Sequence, residues 1–113
     1  MITASNLLES VPETLPEEFS QKILTQSGVT IERIVSRGHH SPEGFWYDQT
    51  WDEWVLLTRG NAGLEIEGQP DMIELHAGDH LLIPAGTRHR VAWTDEKNDT
   101  IWLAVHIHSR KNL

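Results

Sequence analysis

From Val29 to His108 a turn signal interrupts the chain about every 8–12 residues, a spacing that leaves room for short strands and little else. VTIERIVSR (29–37) alternates apolar and polar residues, as a strand with one buried face does. GHHSPEG (38–44) is a loop with glycine at both ends. EWVLLTR (53–59) runs into Gly60, with Asn61 and Gly63 close behind, and AGLEIEG (62–68) follows, so the pair reads as a hairpin. DMIELH (71–76), HLLIP (80–84), RHRVAW (88–93) and TIWLAVHIH (100–108) complete the series. The pattern predicts an all-β antiparallel sandwich or barrel.

The first 28 residues read differently. Pro16, Glu17 and Glu18 suit the first turn of a helix, where a missing proline N–H costs nothing and acids favour the dipole. Phe19, Ile23 and Leu24 share one helical face and Gly28 is a stop signal. The expectation is a short helix over about 16–26, packed outside the barrel. Residues 1–28 then form an N-terminal extension and residues 29–113 one barrel domain, which a chain of 113 residues can build around a single core.

The chain has no cysteine, so thiolate metal sites, thiol nucleophiles and disulfides are excluded, and any metal must take nitrogen and oxygen ligands. A formal net charge of −8 argues against nucleic acid and anionic membrane as partners, since both call for a basic face. MITASNLLESVPE lacks the basic flank and apolar core of a signal peptide, and runs such as LLIPA (81–85) are too short to span a bilayer. The cytoplasm is the expected location.

The chemistry concentrates in GDHLLIPAGTRHRVAW (78–93). Gly78-Asp79 turns into a strand, Pro84-Ala85-Gly86 turns out of it, and His89 follows three residues later. His89, Val91 and Trp93 share one strand face, whereas Arg88, Arg90 and Ala92 share the other. Arginines belong at solvent or a rim, so His89 is expected to point inward as a ligand or general acid/base.

Gly78, Pro84, Gly86 and His89 fit the pattern G-x5-P-x-G-x2-H without a gap and resemble the second signature motif of the cupin superfamily. Trp93 stands where that motif commonly ends in asparagine. Glu53 and Gly60 match the second half of the first motif, G-x5-H-x-H-x3–4-E-x6-G. The resemblance implies a small cupin (double-stranded β-helix, jelly-roll-like) barrel over about residues 29–108. It also implies a homodimer and a small organic ligand in the barrel mouth, where a metal would act as Lewis acid or oxygen activator in oxygenase, isomerase or lyase chemistry.

The two motif-one histidines are missing. A three-residue interval before Glu53 puts Tyr47 and Gln49 in their places, and a four-residue interval puts Trp46 and Asp48 there. Tyr47 and Gln49 share the parity of Glu53 and are preferred on that ground. The candidate metal ligands are therefore Gln49, Glu53 and His89, with Tyr47, His39 and His40 as further ones if the 38–44 loop folds over the mouth. Iron, manganese, nickel or zinc would accept that donor set. His89, Glu53 and Tyr47 are the candidate catalytic groups. Against these stand plainer readings, in which Tyr47 and Gln49 simply hydrogen-bond each other or His89.

Ile101, Leu103, Val105 and Ile107 look like the core face of the last strand, which turns His106 and His108 outward unless Trp102 lines the pocket. Five tryptophans suit a core, an interface or an aromatic wall against a ligand. Arg88 and Arg90 are candidates for catching an anionic group of that ligand. Three functional classes remain: a small-molecule enzyme with an altered metal site, a non-catalytic binding or sensor module that needs no metal, and a structural or partner-binding barrel for which exposed tryptophans would be the evidence.

Overall fold

The computed structural model describes residues 1–108. Eight strands follow in order: β1 (Phe19–Gln26), β2 (Val29–Ser36), β3 (Asp52–Arg59), β4 (Asn61–Ile66), β5 (Ile73–His76), β6 (His80–Ile83), β7 (His89–Thr94) and β8 (Thr100–Ile107). Two antiparallel sheets, β1-β2-β8-β3-β6 and β5-β4-β7, face each other. Between them Val55, Leu57, Ala62, Leu64, Leu75, Ile83 and Trp102 form the core, inward-facing residues of β3, β4, β5, β6 and β8. The all-β expectation holds, and seven strands lie within two residues of the segments that alternation and turn signals mark out.

The short helix over 16–26 is absent. Phe19–Gln26 is instead an edge strand paired antiparallel with β2, from Phe19 opposite Val35 to Gln26 opposite Val29. Ser27 (φ 47°) and Gly28 (φ 79°) make a two-residue turn in which both positions are left-handed, the geometry that suits the twist of a hairpin. Gly28 thus closes a hairpin and does not stop a helix. The register slips between Lys22 and Leu24, so Ile23 is extruded, and both Ile23 and Leu24 remain exposed. Three apolar residues at helical spacing were a strand with a bulge.

A second correction concerns β8. It is the central strand of its sheet, flanked by β2 and β3. Trp102, Ala104 and His106 face the barrel interior, so His106 points in and not out. Ile101 is also fully buried, on the opposite face, beside Val35. That outer face is covered from the N-terminal side: Arg33, itself buried, donates to the carbonyls of Leu7, Glu9 and Ser10, and Arg37 reaches those of Pro12 and Glu13. With both faces covered, apolar character alone could not reveal which one bounds the cavity.

The segment between β2 and β3 matters most for the site. Tyr47 and His89 exchange two backbone hydrogen bonds, Tyr47 N–H to His89 O at 2.7 Å and His89 N–H to Tyr47 O at 3.0 Å. Ser41 N–H donates to Val91 O, Val91 N–H donates back to the Ser41 hydroxyl, and Gly86 N–H donates to Gln49 O. The segment is laced along the free edge of β7 and places Tyr47 and Gln49 beside His89.

Candidate functional site

The space between the sheets opens into a cavity of about 270 Å³, small for a ligand site but in keeping with a small barrel. Its inner walls are apolar, from Ile34, Val55, Leu64, Ile83, Val91 and Trp102. Its polar groups are few: Glu53 from β3, His89 from β7, His106 from β8, Glu32 from β2, Tyr47 and Gln49 from the laced segment, and Glu18 and Ser20 at the outer rim. Glu53, His89, Tyr47 and Gln49 thus meet in one place. Trp46 and Asp48 do not line it; Trp46 lies under the Arg88 guanidinium and Asp48 is exposed.

His89 is 4% exposed. Its Nδ1 lies 2.9 Å from the Thr87 carbonyl oxygen, which can only accept, so in the neutral ring Nδ1 carries the proton. Nε2 then presents its lone pair toward Glu53 Oε1, 3.8 Å away and beyond hydrogen-bond length. The Tyr47 ring stacks on the imidazole with centroids 5.3 Å apart and fixes its tilt. Glu53 is also buried. Burial raises its carboxyl above the ordinary glutamate value; His106 and His89 pull it down, Glu32 pushes it up, and a hydrogen bond with Gln49 lowers it. The Tyr47 phenol is raised by its burial first and then by the charges of Glu18, Glu53 and Glu32, so it stays protonated at neutral pH.

His106 is held the other way round. Trp51 Nε1–H donates to His106 Nδ1 at 2.9 Å, and an indole nitrogen can only donate. Nδ1 is therefore the acceptor, and Nε2–H donates to Glu32 Oε1 at 3.0 Å. Sequence reasoning missed His106 as a cavity residue; the available signal was the condition it set, since Trp102 on the same strand face does line the pocket. Long-range proton–nitrogen correlation spectra should show the two buried rings as opposite neutral tautomers, His89 protonated on Nδ1 and His106 on Nε2. A Nδ1-protonated His106 would mean that the Trp51 bond is not made.

Several expectations change. His39 and His40 do not line the cavity; they border an adjoining cleft that shares Glu18, Tyr47 and Val91 with it. His39 Nδ1 accepts from Arg37 N–H, and His40 Nδ1 lies 2.9 Å from the Ser41 carbonyl. Arg88 and Arg90 are turned onto Glu67 and Glu65, so neither catches an anion in the mouth. Arg33 is spent on backbone carbonyls and Arg37 on Asp99. Among the described residues no lysine or arginine lines the cavity. None of the five tryptophans is exposed, which removes the ground for a partner-binding barrel built on exposed indoles.

The donor set falls short of a resident metal. Glu53 and His89 could both reach one cation, but Gln49 is a weak third ligand and is already hydrogen-bonded to Glu53. Among the described residues no group of three or more His, Asp or Glu side chains is arranged to hold an ion. Catalytic sites normally supply three firm ligands, and the residues present do not fit that requirement.

The cupin domain model matches residues 35–106, more than half of the chain. The chain belongs to the cupin family. Among solved structures, a protein from Ralstonia eutropha named as a putative mannose-6-phosphate isomerase is 47% identical, with a TM-score of 0.91 over 96% of this cupin and 100% of that chain. A cupin superfamily protein from Desulfitobacterium hafniense is 17% identical, with a TM-score of 0.71 over 88% and 84% of the two chains. A conserved protein of unknown function from Streptococcus pyogenes is 15% identical, with a TM-score of 0.75 over 98% and 91%. These last two show the shared fold only. No curated protein matches this cupin. No helix among the described residues is long and apolar enough to cross a membrane.

Proposed function

We propose that this cupin takes a small organic molecule without an anionic group into its barrel and shifts a proton on it, an isomerase-type reaction. The observation that carries the reading is the separation of Glu53 Oε1 and His89 Nε2, 3.8 Å apart inside an apolar-walled cavity. A substrate atom can lie about 2.8 Å from both at once. Either group can remove a proton from one position and, as the acid so formed, return it to a neighbouring position while the other accepts a hydrogen bond from the substrate, with no net oxidation and no co-reactant. A carboxyl whose basicity is raised by burial suits that work, and the protonated Tyr47 phenol offers a donor at the rim.

The Ralstonia relative's name agrees with this reaction class but not with the substrate charge. A phosphate ester would enter a cavity lined by three glutamates and, among the described residues, by no lysine or arginine. The homodimer and the cytoplasmic location stand as parts of this proposal. The second reading is a non-catalytic binding module in the same cavity, favoured by the shortage of firm metal ligands.

Proton NMR in D2O with mannose, dihydroxyacetone and mannose 6-phosphate tests the proposal. Deuterium incorporation into an unphosphorylated compound, lost in a Glu53→Gln, His89→Ala double variant, is the expected result. Faster exchange on mannose 6-phosphate would overturn the substrate reading. One equivalent of iron, manganese, nickel or zinc per purified chain, absent from the double variant, would overturn the metal-free reading in favour of a cation on Glu53, His89 and Gln49.

A further inference from the structure

The hydrogen-bonding capacity of the cavity is lopsided. Its donors are spent on its own carboxylates: the Ser20 hydroxyl on Glu32 at 2.8 Å, His106 Nε2–H on the same carboxylate, and Gln49 on Glu53. Behind this wall the Trp102 indole donates to the Ser36 hydroxyl, which donates to Glu18 at 2.7 Å. What remains facing the empty space is almost wholly accepting. Glu18, Glu32 and Glu53 each present carboxylate oxygens, with the Tyr47 hydroxyl as the remaining donor.

A second observation is independent of the acids. His89 Nε2 belongs to a side chain that is 5% exposed, and no described residue donates a hydrogen bond to it. Its lone pair faces the cavity because Nδ1 is committed to the Thr87 carbonyl. An acceptor that opens on the cavity in this way is placed to take a hydrogen bond from a bound molecule. The other imidazole, His106, has both ring nitrogens engaged, Nδ1 by the Trp51 N–H and Nε2 by Glu32.

We propose that the ligand of this cavity is an organic cation, an ammonium or amidinium group on a small apolar body. The proposal rests on the functional reading above and names its ligand class. The apolar body lies against Trp102, Val55, Leu64 and Ile83. The cationic head faces Glu53, Glu32 and His89 Nε2, its N–H groups filling the acceptors that the protein leaves unfilled. Glu18, exposed at the rim, and the net charge of −8 draw such a ligand inward.

Benzylammonium, benzyl alcohol and benzoate form a matched series in which only the charge of the head group changes. Calorimetric titration of the intact chain at neutral pH and low salt should rank benzylammonium about tenfold or more tighter than benzyl alcohol, with benzoate not binding. The preference should shrink at high salt, and Glu32→Gln should cut it to about threefold. Glu18→Gln, at the exposed rim, gives a smaller loss and serves if Glu32→Gln unfolds. Equal binding of amine and alcohol would overturn the cation proposal and leave the functional reading standing. Benzoate as the tightest ligand would overturn both. Failure of all three to bind would overturn the cation proposal, with deuterium exchange still deciding the reading beneath it.

Discussion

Gly60→Ala is expected to destabilise the fold by about 3 kcal/mol or more, lowering the thermal midpoint by roughly 10–20 °C. Gly60 joins β3 to β4 at φ 92°, a conformation that costs an L-residue about 1–2 kcal/mol. The added methyl carbon would also lie 2.7 Å from Thr100 Cα and 2.8 Å from the Asp99 carbonyl oxygen, and closer still to the Thr100 hydroxyl. Thr100 is fully buried, so backbone on both sides must move. Gly68→Ala is the matched control, because its φ is 88° but no atom lies within 4 Å of the added carbon. It should cost only the backbone term, about 1–2 kcal/mol. Urea denaturation of both variants separates the two contributions; equal losses would mean that the Thr100 contact relaxes freely.

Glu53→Gln is expected to move stability and chemistry in opposite directions. Burial raises the carboxyl in the folded chain, so the folded state holds that proton more tightly than the unfolded state does. The stability this group contributes is complete below the ordinary glutamate value. It is lost as pH rises through the raised folded value, leaving a buried charge above it. The uncharged amide avoids that loss. The variant should therefore match the wild type below the ordinary glutamate value and exceed it in thermal midpoint above the raised folded value, with the gap opening between the two. Proton exchange on substrate should meanwhile fall by about 100-fold or more, the usual contribution of a positioned acid or base. A variant less stable than wild type at every pH would show that ionised Glu53 is compensated by a partner stronger than Gln49 and the two imidazoles.

Much of the architecture was legible because alternation and turn chemistry are local. Gly60, Gly78 and Gly86 each sit at positive φ where the strand boundaries were read, and His89 faces inward as its flanking arginines implied. Tyr47, Gln49, Glu53 and His89 meet because their parity and spacing survived, although Tyr47 belongs to a bridge on β7 and not to a continuous β3. The failures come from three features that a local reading does not see. An N-terminal segment over the outer sheet buried Ile101 and disguised the inner face of β8. A bulge at Ile23 imitated a helical period. The destinations of Arg88 and Arg90 depended on glutamates across the β4–β7 pair, Arg90 standing opposite Glu65 in register, which no local window contains.

The reciprocal backbone bonds between Tyr47 and His89 carry a mechanical consequence. Because the same two residues also stack ring on ring, one wall of the cavity and the His89 imidazole are clamped together at three points. A guest too bulky to slip past Tyr47 cannot prise that wall away while His89 stays put; peeling the segment drags the imidazole off its Thr87 anchor. Under the proposed reaction, size selection and chemical competence would thus be one deformation: an oversized molecule that forces its way in would find the spacing of Glu53 and His89 already lost.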